Sequence, residues 1–256
     1  MIAGLDVAVE GTRVVRLWAE PPLAAKVLDG AAGPELLLVG AAASLVEGDR
    51  LRVTLRLGPG AVLTVRTAAA TLAHPCPGGG STSFDVEADL GPDARLAWLP
   101  EPLVACAGCR HTGRARLRLG RGAAAVWSET VVLGRTGEAP GDTATRLDVD
   151  LEGVPLLRDG LSVGPSTPGW AGPAVLDAAR VLSGVALVGT AAPDAPVPAV
   201  GGGAVVLPLA GPGTLVRATG ADGASVERIV AAIRASFVGH LLPARARSER
   251  RQEMVM

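Results

Sequence analysis

From Asp49 to Leu57 apolar and polar residues alternate: Leu51, Val53, Leu55 and Leu57 fall on one face, and Arg50, Arg52, Thr54 and Arg56 on the other. A period of two with one polar face predicts a half-buried β-strand. Gly58-Pro59-Gly60 then predicts a tight turn, and Ala61 to Thr67 a returning strand. The unit recurs. Leu57-Gly58-Pro59-Gly60-Ala61 is echoed by Leu90-Gly91-Pro92-Asp93-Ala94 and by Leu119-Gly120-Arg121-Gly122-Ala123, at a spacing of about thirty residues that suits stacked repeat units. One hairpin cannot bury its apolar face, so neighbouring units must stack. The pattern predicts a mainly β chain with two-layered stacked sheets and solenoid-like hairpin repeats over residues 48–165.

Beyond the repeats the pattern changes. Residues 165–175 and 190–203 are rich in Pro, Gly and Ala and read as loops. Ala174 to Ser183 reads as a short helix, with strands following at Val185–Val188, Val205–Leu209 and Thr214–Ala218. Val226, Ile229, Val230, Ile233 and Phe237 recur at helical spacing opposite Glu227, Arg228 and Arg234. This predicts an amphipathic C-terminal helix, capped by Asp222 or Ser225 and closed by Gly239, with its apolar stripe packed on a sheet. The expectation is one domain over 1–244, with a strand and helix part at 174–240 and a charged, disordered tail at 245–256.

Composition narrows the class. The chain has 256 residues, 48% of them apolar, and a formal net charge of −1. That suits a globular protein with no global field toward nucleic acid or an anionic membrane. Lys26 is the sole lysine, and Asn and Tyr are absent, so turns must use Gly, Pro or Asp. Met1 to Glu10 has no signal-peptide pattern, and the apolar run from Pro34 to Val46 is too short to span a membrane. Three cysteines make an odd number, which fits reduced thiols in the cytoplasm.

The lone lysine excludes a P-loop, because Lys26 follows Leu23-Ala24-Ala25 rather than a glycine loop. Asp148, Asp150 and Glu152 alternate as the carboxylates of a β-solenoid hydrolase would, and equally as a solvated strand face would. Arg110, Arg114, Arg116, Arg118 and Arg121 have no interleaved aromatic residues to stack bases, so a protein partner suits them better than nucleic acid. The sharpest local cluster is Cys106-Ala107-Gly108-Cys109 followed by His111, with His74 and Cys76 about one repeat earlier. If the repeats stack, these soft donors could hold Zn or Ni, which defines an alternative reading as an independent metal-binding protein. The bland reading is free cysteines packed in β turns.

Several segments together resemble the urease accessory protein D family. They are Gly48-Asp49-Arg50-Leu51 before Leu57-Gly58-Pro59-Gly60-Ala61, Thr67-Ala68-Ala69-Ala70-Thr71, Trp98-Leu99-Pro100-Glu101-Pro102, Trp127-Ser128-Glu129, Leu133-Gly134-Arg135 with Gly137-Glu138, and Leu215-Val216-Arg217 before the helix. Ala42-Ala43-Ser44, His74-Pro75-Cys76, Cys106 and Cys109 depart from the family's pattern. The resemblance implies a layered β fold and a non-enzymatic scaffold that acts with accessory proteins F and G on apo-urease. It implies no tightly bound cofactor and transient handling of nickel, through a passage inside the subunit. By position Glu129 is the first candidate to line such a passage, followed by Asp49, Glu101 and Glu138, with Arg135 shaping a turn and a partner contact.

Overall fold

The structure is a computed structural model that describes residues 1–42, 45–193 and 203–242. Its strands in chain order are β1 (Ile2–Glu10), β2 (Arg13–Ala19), β3 (Leu23–Asp29), β4 (Pro34–Gly40), β5 (Arg50–Leu57), β6 (Val62–Thr67), β7 (Thr71–Ala73), β8 (Thr82–Leu90), β9 (Arg95–Leu99), β10 (Leu103–Ala105), β11 (Arg110–Leu119), β12 (Ala124–Leu133), β13 (Asp142–Leu151), β14 (Val154–Val163), β15 (Val181–Val188), β16 (Ala204–Pro208) and β17 (Gly213–Gly220). One helix, α1 (Gly223–Leu241), closes the described chain.

The strands form two sheets. The first runs β14-β13-β11-β8-β5-β1-β2, and the second β16-β17-β15-β12-β9-β6-β4-β3, with β7 and β10 attached beside β12. Within the repeat core the strands are parallel and in register: Leu55 lies opposite Ala88, Ala88 opposite Leu117, and Leu117 opposite Val149. The inward residues therefore stack in apolar ladders, and their burial between the sheets forms the main core.

The strand-turn-strand units are arches rather than hairpins. β5 lies in the first sheet and β6 in the second, so the chain crosses between layers at each Gly-rich turn and pairs with the next coil, not with itself. The turns stack on one another: Gly58 N–H donates to the Val9 carbonyl, Gly91 N–H to Leu57, and Gly120 N–H to Leu90. The stacking is close enough to exclude a side chain, because a Cβ on Gly91 would lie 3.0 Å from the Gly58 carbonyl carbon.

The predicted strands near 185–188, 205–209 and 214–218 are β15, β16 and β17. The short helix expected at 174–183 is absent: residues 172–178 form turns and β15 begins at Val181. Every residue of β15 is buried, because one face meets the core and the other meets α1. The helix is a third layer, with Val226, Val230, Ile233 and Phe237 packed on Val126, Val185 and Val216 of the second sheet. Its N-cap is Asp222, whose carboxylate accepts the Ser225 N–H at 2.8 Å. It runs past Gly239 to Leu241. The expected tail at 245–256 and most of the loop at 190–203 lie outside the described residues.

Candidate functional site in the space between the sheets

Strand alternation puts a carboxylate inside the fold. In β12, Ala124 and Val126 face α1, while Ala125, Trp127, Val131 and Leu133 face the opposing sheet. Glu129 follows the inward period. It lines a cleft of about 80 Å³ together with Trp98, Trp127, His111, Glu101 and Phe84. Trp98 and Trp127 lie opposite each other in register, and their rings stack with centroids 4.8 Å apart. The Trp127 indole N–H donates to Glu129 Oε1 at 2.9 Å and fixes that carboxylate.

A second charged pair lies on the same face. Glu129 is opposite Gly184, and Gly184 is opposite Arg217 of β17. A Cβ at Gly184 would come within 2.8 Å of the Arg217 guanidinium, so the glycine makes room for that side chain to lie across the sheet. Arg217 pairs with Asp159 of β14, in the first sheet, and joins the two layers. Glu129 keeps some contact with the cleft, yet protein encloses it, and burial pushes its pKa up. The Trp127 hydrogen bond and the Arg217 charge oppose that rise, and Asp159 adds to it. The result is an interior carboxylate of raised basicity beside an ion pair, in a space that is otherwise largely apolar.

Among the residues singled out from sequence, Glu129, Glu101 and His111 share this cleft. Glu101 is exposed at its edge, with its backbone N–H donating to Thr67 Oγ1 at 2.8 Å. His111 is buried, its Nδ1 is 2.9 Å from Thr82 Oγ1, and burial lowers its pKa to about 4. It is a neutral, fixed imidazole near pH 7. Asp49 lies elsewhere, buried in the turn before β5, where it accepts the Met1 amine at 3.0 Å and the Val46 N–H at 3.1 Å. Arg135 and Glu138 clamp the turn after β12 through paired hydrogen bonds of 3.0 and 2.8 Å. The Arg135 hydrogen bonds hold Glu138 down to about 2.

The cysteines are buried in stacked loops at the end of the fold opposite the Gly-rich turns. Cys76 N–H donates to the Gly108 carbonyl at 2.9 Å, which brings the two loops together. The Cys76 thiol donates to the His74 carbonyl, Cys106 to Val104 and Cys109 to Asp142. Burial raises the Cys106 pKa, and it pushes Cys109 up to about 12. Burial thus disfavours the thiolate form of Cys106 and Cys109, the form in which cysteine ligates a metal. Among the described residues, no group of three or more His, Cys, Asp or Glu is arranged to hold a metal ion. Asp148 and Asp150 lie on the outer face of the first sheet, paired with Arg146 and Arg158. They do not form the open carboxylate pair of a solenoid hydrolase. No helix among the described residues is long and apolar enough to cross a membrane.

Sequence reasoning missed Asp159 and the charged role of Arg217. A signal for the first was present: Leu157, Asp159, Leu161 and Val163 share one strand face, so the aspartate stands alone in an apolar row.

Comparison with known proteins identifies the family. The family model described as UreD urease accessory protein matches residues 3–253. A Parafrankia sp. (strain EAN1pec) protein named urease accessory protein UreD is 36% identical, covering 93% of this chain and 89% of its own length. A Streptomyces griseus protein, urease accessory protein UreD 3, is 40% identical over 83% of this chain and 86% of its own. A third relative, from Streptomyces coelicolor, is 37% identical over 86% of this chain and 88% of its own. With both measures spanning nearly its full length, this chain belongs to the UreD urease accessory protein family.

Proposed function

We propose that this chain is a non-enzymatic, cytoplasmic maturation factor that takes part in nickel insertion into apo-urease, in a complex with accessory proteins F and G. Membership of the family supports the role in urease maturation. The observation that carries the rest is Glu129, a carboxylate held between the sheets by Trp127 and facing a cleft. Nickel is cargo in this reading. It accepts oxygen, nitrogen and water ligands, so one interior carboxylate can hold it briefly without a closed ligand set. A site with few protein donors releases its ion readily, which delivery requires. Arg217 gives Glu129 a counter-charge while no cation is present. Its guanidinium is already paired with Asp159, so it stays neutralised when a divalent cation approaches Glu129.

Co-expression of the tagged chain with accessory proteins F and G and apo-urease tests this. The expected result is a stoichiometric complex that raises urease activity in a nickel-dependent way. Glu129→Ala should retain the complex and lower nickel-dependent activation by about tenfold or more, the scale on which groups supporting a metal site act. A soluble, folded chain that captures none of these proteins would sink the proposal. Full activation by Glu129→Ala would remove the carboxylate from it.

A further inference from the structure

The outer face of the first sheet is built from charge rows that run across the parallel strands. In one row Arg56, Asp89, Arg118 and Asp150 lie in successive register, and in the next Thr54, Glu87, Arg116 and Asp148 do. The first row is balanced, and the second has two carboxylates to one guanidinium. Arg118 reaches Glu87 and Asp89, and Arg158 reaches Asp148 and Asp150. The third row breaks the pattern: Gly4, Arg52, Asp85, Arg114 and Arg146 give three guanidiniums to one carboxylate. Arg50 adds a further cation beside this row, opposite Ile2 and Ser83.

Arg146 is paired with Asp148 of the neighbouring row, and the rest of the excess has no ion-pair partner. Among the described residues, Arg50, Arg52 and Arg114 enter no ion pair, although each is exposed. Asp85 Oδ1 is buried without a hydrogen-bond partner. Arg114 and Arg146 stand directly opposite each other, a like-charge placement that costs stability. An apolar anchor adjoins the same row. Trp18 is 50% exposed and Ile2 77% exposed. Trp18 lies over Gly4, whose absent Cβ would be 3.2 Å from the indole. The chain has four tryptophans and no tyrosine, so a half-exposed indole beside unpaired arginines is a pointed use of scarce residues. Trp and Arg are the residue types that dominate protein interfaces energetically.

We infer that this corner of the outer face, formed by Ile2, Trp18, Arg50, Arg52, Arg114 and Arg146, docks an acidic protein surface. Arg52 and Arg114 sit two strands apart, about 10 Å. Flat, evenly spaced guanidiniums of this kind can each grip a carboxylate through two hydrogen bonds.

Poly-L-glutamate is a direct probe for the purified full-length chain. The wild type should bind it with an affinity that falls steeply with salt. Arg114→Glu should weaken binding about tenfold, while Arg121→Glu, the same charge change on a turn at the far end, should stay within about twofold. Arg114→Glu exchanges the like-charge opposition to Arg146 for one to Asp85. The neutral Arg114→Gln creates neither and should also weaken binding, so together with thermal melts of each variant it separates lost binding from lost folding. No binding by the wild type overturns the inference. So does equal weakening by Arg114→Glu and Arg121→Glu, which would reduce the effect to net charge. Tighter binding of a DNA duplex than of polyglutamate would also overturn it, in favour of a nucleic-acid surface. The polyglutamate result stands apart from the co-expression experiment, so the surface and the proposed function can fail separately.

Discussion

At the scale of single residues, the cleft carries a tension between stability and function. Burial raises the pKa of Glu129, so its ionisation is harder in the folded chain than in the unfolded one. The sign follows directly: a carboxylate with a raised folded pKa weakens the fold as pH rises through its ordinary range. Glu129→Gln keeps an acceptor for the Trp127 indole and removes the charge. It should raise stability at neutral pH by about 0.5–2 kcal/mol while lowering nickel-dependent activation, a familiar trade-off at functional sites. Thermal melts of the two proteins at pH 7 and pH 4 check this, because the gain should shrink at the lower pH. His111 works in the opposite sense. Its pKa is about 4 when folded and about 6.5 when unfolded. The unfolded chain therefore binds more protons between those values. Stability should be flat above pH 6.5 and fall by about 3 kcal/mol as pH drops toward 4. His111→Gln should flatten that part of the curve in chemical denaturation.

At the scale of elements, the stacked turns make the sharpest claim. Gly91 has no positive φ to justify it, but its Cβ position lies 3.0 Å from Pro59 N and 3.1 Å from the Leu57 carbonyl oxygen. Gly91→Ala must push two coils apart and should cost about 1–3 kcal/mol. Gly60→Ala meets nothing within 4 Å and only suffers its φ of +64°, so it should cost about 1–2 kcal/mol. Urea midpoints of the two variants rank the effects. The same elements explain what the sequence made legible. β5, β8 and β11 each have one wet face, so their period of two survives in the chain. β15 is buried on both faces, which erases that period and left its first half looking like a helix. β2 is exposed at nearly every position, and nothing in its pattern marked it. Arches and hairpins have the same local signature, strand, turn, strand, and differ only in which neighbour each strand pairs with. Glu129 stood out by resemblance alone, because a single glutamate in an alternating strand has no local signal of depth. The three cysteines drew attention as soft ligands, and the structure buries all three as free thiols in stacked loops, a depth that no local pattern reports.

At the scale of the whole molecule, Arg217 and Asp159 form a bridge between the two sheets, beside the cleft and away from the main apolar ladders. Both side chains retain only about a fifth of their exposure, 22% and 23%, so water screens the pair in part. Arg217→Met would leave Asp159 and Glu129 facing each other without a cation, and it should cost about 1–3 kcal/mol at neutral pH. Most of that loss is the isolated charge, not the lost attraction. Adding Asp159→Asn to Arg217→Met should therefore restore about half or more of the stability, whereas Asp159→Asn alone leaves Arg217 free to serve Glu129 and should cost less than Arg217→Met. A double-mutant cycle on urea midpoints measures this coupling. Strict additivity would mean that the bridge does not join the layers. Strong coupling would mean that the charge holding the sheets together is the same one that balances the interior carboxylate, so that a cation arriving at Glu129 would be felt across the entire fold.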